Sequence, residues 1–257
     1  MTAAVSLPDQ VDAPSAVEFM REALVKISEE DIGTVAELLV KKRALLAPAL
    51  ERGSLERGTA DAVRPILEVV FSTRRRTDQL LVSNGAPVVA AAIGDLLHGP
   101  GTIDARFRAF DDALPAIEAP VRRDLAAECL HFSDPDRFWL WSRWMWDPAT
   151  RTGALPLVMV EEFDFDGADA GAVYLRVGAA TAAVIAVADD LGFRRMRAHP
   201  FVVDVYLAAI YGVYLYTVTR LRMTQEFNRV IPPLPDLVRR LLGVRGLEGT
   251  STIETAS

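Results

Sequence analysis

Cysteine, histidine and lysine are scarce in this chain. The one cysteine, Cys129, excludes an intramolecular disulfide and any all-cysteine zinc or iron–sulfur centre. Three histidines, His98, His131 and His199, leave little material for imidazole chemistry. Lysine stops at Lys42, after which every basic residue is arginine. The sequence has no Gly-x-Ser-x-Gly elbow, phosphate-binding glycine loop or dinucleotide fingerprint, so nucleophilic and nucleotide-dependent catalysis lack a signature. The first sixteen residues contain neither a basic stretch nor a long apolar run; with the single cysteine, this leads us to expect a cytoplasmic protein rather than a secreted one. A formal charge of −7, from 28 basic and 35 acidic residues, argues against nucleic acid as a general partner.

Apolar residues are plentiful, at 51% of 257 positions, and they recur mostly at helical spacing. Ser28, followed by Glu29, Glu30 and Asp31, starts a helix. Its stripe of Ile32, Val35, Leu39 and Leu46 is apolar except at Lys42, and Pro48 and Gly53 mark its end. Further helices are predicted over 59–81, 87–99, 103–113, 120–131, 169–190, 201–222 and 235–242. Pro65 should shorten or kink the first of these. Residues 153–160 read as a short strand or an irregular buried segment.

The expected fold is therefore all-α: one helical domain over 16–245, with mobile tails at 1–15 and 246–257. A Tyr-rich helix near 200–222 should be buried at its centre, because Val205 to Thr219 carries no charge and includes Tyr206, Tyr211, Tyr214 and Tyr216. Asp204, within the longer apolar run Phe201 to Thr219, and Arg176 in the preceding helix each cost roughly 2.5–3.5 kcal/mol at a bilayer centre, which argues against membrane insertion.

All four tryptophans, Trp139, Trp141, Trp144 and Trp146, fall within eight residues, with Arg143 among them. Were this stretch helical, its rings could not share one face. The reading is an aromatic wedge with at least one ring, Trp141 or Trp144, left as a pocket wall or partner-facing surface. Arg194, Arg195 and Arg197 form the densest basic loop and the candidate site for an anionic ligand or partner. The shorter runs Arg74–Arg76 and Arg239–Arg240 read as solvated faces.

An acid three residues before a histidine occurs twice, as Asp95 with His98 and Glu128 with His131; Asp124 extends the second face. That spacing is found in carboxylate di-iron bundles and nominates iron or manganese as a cofactor. The histidines also suit the last turns of their helices without any metal, and no cofactor is the default expectation. The acidic run 161–169 precedes a helix and reads as capping. Leu241 to Gly246 is similar to the hairpin of helix-hairpin-helix DNA glycosylases. The similarity spans six residues, and that family's downstream aspartate and lysine have no counterpart here. The functional expectation is a non-catalytic interaction or accessory protein using a Trp-rich surface or pocket, with a protein partner or self-association. The alternative is a metal-dependent or small-ligand-binding redox enzyme.

Overall fold

The computed structural model of the chain describes residues 8–188, 190–191, 199–222 and 232–247. Local capping decides where several helices begin. Asp12 accepts hydrogen bonds from the Ser15 amide and hydroxyl and starts α1 (Ala13–Leu24), so order begins earlier than the expected tail at 1–15. Just before it, Asp12 N–H donates to Val158 and Val160 N–H donates to Gln10, tying this end of the chain to the 153–160 segment. Positions 1–7 of the tail lie outside the described residues.

Ser28 and Asp31 form a reciprocal capping box at the start of α2 (Glu29–Leu50). This helix touches α3 (Arg52–Leu55), α4 (Ala60–Val69), α6 (Ala86–His98), α8 (Ala119–Ser133), α10 (Val202–Arg222) and α11 (Leu234–Leu241), which makes it the hub of the molecule. Its predicted stripe is buried throughout, Lys42 included.

The helix predicted over 59–81 divides into α4 and α5 (Thr77–Asn84). Val70 turns to extended backbone, and the Thr73 hydroxyl donates to the carbonyls of Leu67 and Val70, closing the break with a side-chain bond. Helix α7 (Ile103–Ala113) packs on α6 and α9 (Ala170–Val187). Asp169 caps α9, and Arg151 pairs with Asp166, which occupies part of the acidic run as its position before a helix implies.

The described residues contain eleven α-helices and no strand, so the fold is an all-α bundle. Residues 153–160 hold a 3-10 turn (Leu155–Leu157) and an isolated bridge to Val11.

Helices α9 and α10 are each long and apolar enough to cross a membrane by length and composition. In each, 61% of the 18-residue apolar window is buried inside the protein. Residues 201–210 are buried as their composition predicts, whereas Tyr211, Tyr214 and Tyr216 are only partly covered. The charge in that apolar run has a partner: the Asp204 carboxylate lies 2.8 Å from His131 Nε2, both side chains 2% exposed.

The tryptophan stretch is not helical. It belongs to the irregular segment 134–169, which turns repeatedly over the helices. Trp139 N–H donates to the Tyr174 hydroxyl, which donates in turn to the Trp139 carbonyl, so α9 holds this backbone through one side chain. Asp147 N–H donates to the Thr152 carbonyl, and Gly153 approaches Met145 so closely that a Cβ would sit 2.2 Å from its carbonyl oxygen.

Candidate functional site

Freed from a helix's geometry, the four rings enter different surroundings. Trp141 donates from Nε1 to the Trp146 carbonyl at 2.9 Å, and Trp146 stacks on Phe165 with centroids 4.5 Å apart. The half-buried Trp139 lies against Gly178 of α9, where an added Cβ would stand 2.2 Å from its ring. Trp144, 8% exposed, lines a cleft opposite Tyr211. The expectation of an exposed, partner-facing Trp141 or Trp144 is thus corrected, since both are buried: an irregular chain can turn each ring inward separately, and Trp144 keeps only an edge on the cleft.

The cleft beside Trp144 has a volume of about 890 Å³. Five stretches of chain build it, α10 through Tyr211. The 70–76 turn contributes Arg74, Arg75 and Arg76; the segment after α8 contributes Ser142 and Arg143. Helix α8 contributes Asp124 and Glu128, four residues apart on one face, and α11 contributes Arg240. Arg76 pairs with Glu118 at 3.0 Å, and Arg74 lies over the Phe71 ring. Among the described residues, Arg74, Arg75, Arg143 and Arg240 form no ion pair with an acidic side chain, and all four are exposed.

Behind the cleft, Lys42 Nζ stands 2.5 Å from Glu128 Oε2 and donates to the Leu242 carbonyl at 3.1 Å. It also lies 4.9 Å from the centroid of Phe132. This lysine fastens α2, α8 and the end of α11 together, and so sets the position of Arg240. Gly243, with φ at +70°, passes so near that an added Cβ would be 3.2 Å from Lys42 Nζ.

Burial, reinforced by the neighbouring Glu128 charge, pushes the Asp124 carboxyl up to about 7, against the opposing pull of Arg143 and Lys42. Burial and the same glutamate push the Cys129 thiol far up, which makes it an inert core group. For His131, burial alone would lower the pKa, but the Asp204 charge, its hydrogen bond and the Phe138 carbonyl together raise it above the ordinary histidine value. Its Nδ1 lies 2.8 Å from the Phe138 carbonyl oxygen, which can only accept, so Nδ1 carries a proton.

These contacts account for the metal candidates one by one. Asp124 and Glu128 share the cleft, but His131 is bonded to α10 and to Phe138. Asp95 and His98 line a separate groove, where His98 Nε2 meets the Leu50 carbonyl at 3.0 Å. No group of three or more His, Cys, Asp or Glu side chains is arranged to hold a metal among the described residues. Arg194, Arg195 and Arg197 lie outside the described residues.

Of the expected site, Arg143 and Trp144 therefore meet in one cleft, and the metal candidates Asp124 and Glu128 join them there. Arg74, Arg75 and Arg240 were missed as site residues because short arginine runs usually mark solvated surface. Lys42 carried a legible signal, since a lysine within an apolar stripe has to find a buried anion. No family model, curated protein or solved structure matches the chain.

Proposed function

We propose that this is a non-catalytic binding protein that takes a small organic anion into the cleft between α8, α11 and the segment after α8. The observation that carries the reading is the convergence of Arg74, Arg75, Arg143 and Arg240 on one concavity, none of them in an ion pair among the described residues. Of the four acids in the same lining, Glu118 and Glu128 are already paired with Arg76 and Lys42 and the Asp124 carboxyl is pushed up to about 7, so the charge left uncompensated is mainly positive and favours a ligand of opposite sign. Trp144 and Tyr211 supply an apolar wall for the organic part of the ligand, a mixture of aromatic surface and a few placed polar groups that suits small-molecule recognition. A small anion suits this cleft better than the protein partner expected from the sequence, since Trp141 and Trp146 are turned into the core and Trp144 faces only the cleft.

Thermal denaturation with benzoate, phenyl phosphate and uncharged phenol tests it. At least one of the two anions should raise Tm, by an amount equivalent to about 2.7 kcal/mol at a hundredfold excess over its Kd, while phenol should not. The exposed pair Arg143→Ala and Arg240→Ala, combined, should weaken binding about tenfold or more without lowering Tm in the absence of anion. If neither anion stabilises the protein, or if the double variant binds as well as the parent, the reading fails.

A further inference from the structure

The cleft offers many hydrogen-bond donors that have no partner in the structure, and this bears on what kind of anion fits. The unpaired guanidiniums carry only N–H groups. Ser72 and Ser142 line the same cleft with hydroxyl oxygens that are buried and make no hydrogen bond in the structure. Asp124, with its carboxyl pushed up to about 7, presents an O–H over the lower part of the neutral range. Of the carboxylates in the lining, Glu118 is ion-paired with Arg76, Glu128 is ion-paired with Lys42, and one Asp147 oxygen accepts from the Ala149 amide.

The backbone that bears the Arg74–Arg76 donors is also held in place. Arg76 N–H donates to the Thr73 carbonyl and Arg74 N–H to that of Val70, while Thr73 itself is fastened to Leu67, so the arginine-bearing turn is ordered before any ligand arrives. The missing half of the site is a compact group rich in acceptors that can be approached from several directions at once.

We propose that this group is a phosphoryl group, so that the ligand is a phosphomonoester. The inference rests on the anion-binding reading and narrows it. A carboxylate offers two oxygens in one plane, whereas a phosphomonoester dianion presents three terminal oxygens in a tetrahedral array. It can therefore meet donors from the 70–76 turn, the segment after α8 and α11 together, with guanidiniums binding it in bidentate fashion. Its second charge also suits four unpaired arginines better than a single charge would.

The test is calorimetric titration of the full-length chain with phenyl phosphate, benzoate and inorganic phosphate at one ionic strength. Phenyl phosphate is expected to bind at least about tenfold more tightly than benzoate. Replacing both hydroxyls, Ser72→Ala with Ser142→Ala, should weaken phenyl phosphate several-fold and leave benzoate unchanged. Should that variant fold poorly, the comparison of anions on the unaltered protein still decides the matter. Weaker binding of inorganic phosphate supports an organic ester, and equal binding supports free phosphate as the source of the phosphoryl group. Benzoate binding as tightly as phenyl phosphate overturns the phosphoryl assignment while leaving the anion reading intact. Binding of none of the three overturns both.

Discussion

Lys42 illustrates how much one side chain can organise here. It is 1% exposed and paired at 2.5 Å with Glu128, so removing it strands a carboxylate in the interior. Lys42→Met should cost about 3–5 kcal/mol in chemical denaturation, whereas Lys42→Met combined with Glu128→Leu should recover most of that loss. A double variant no better than the single would show that the cost is steric. Two titrating groups should pull against stability as pH rises, and they can be told apart. The raised pKa of His131 means that its bond to Asp204 stabilises the fold fully below the unfolded value of about 6.5, and that this is lost as pH climbs through the folded value. His131→Ala should therefore lower Tm at pH 6 and flatten its decline toward pH 9. Asp124 is also raised, to about 7, because burial disfavours its charge, so folding carries a penalty that grows from about pH 4 to 8. Asp124→Asn should accordingly raise stability at pH 8 by about 1–3 kcal/mol, the opposite sign to the histidine variant. Equal effects of the two substitutions at both pH values would contradict these assignments.

Among the elements, the irregular segment 134–169 depends most on its neighbours. Helix α9 holds it through the Tyr174 hydroxyl, which satisfies both main-chain groups of Trp139, and through Gly178, which leaves room for that ring. Tyr174→Phe should cost about 1–2 kcal/mol, and Gly178→Ala about 1–3 kcal/mol with a change in tryptophan fluorescence as Trp139 is displaced. Unchanged stability in both would mean that the segment is held by other contacts. The regular helices were readable because periodicity, caps and breakers agree: Ser28 and Asp31 at α2, and Gly99 after α6, bound their elements within a residue or two of expectation. The break between α4 and α5 was not legible, since the Thr73 bond that closes it depends on the turn already formed. The tryptophan stretch escaped for a related reason: its backbone partner lies thirty-five residues away on α9, and nothing in its own spacing reports that. The cleft was half legible. Arg143 and Trp144 stand out locally, but which arginine runs reach them is decided by how α4, α5, α8 and α11 pack.

Across the whole molecule, a net charge of −7 coexists with a local concentration of arginine, so anion binding at the exposed rim should weaken steadily as salt is raised from about 0.05 to 0.5 M. Helices α9 and α10 bury most of their apolar windows against the rest of the chain, and Asp204 is matched by His131. The protein should therefore purify without detergent. Recovery only from carbonate-washed membranes would assign those helices to lipid. The cleft beside Trp144, proposed as a binding site for an organic anion, can be watched directly, because the four indole N–H groups report separately. In a ¹H–¹⁵N titration with phenyl phosphate, assigned by single Trp→Phe variants, the Trp144 indole resonance should shift saturably, with those of Trp139, Trp141 and Trp146 nearly still. No shift at Trp144, or a uniform drift of all four, would contradict such a site.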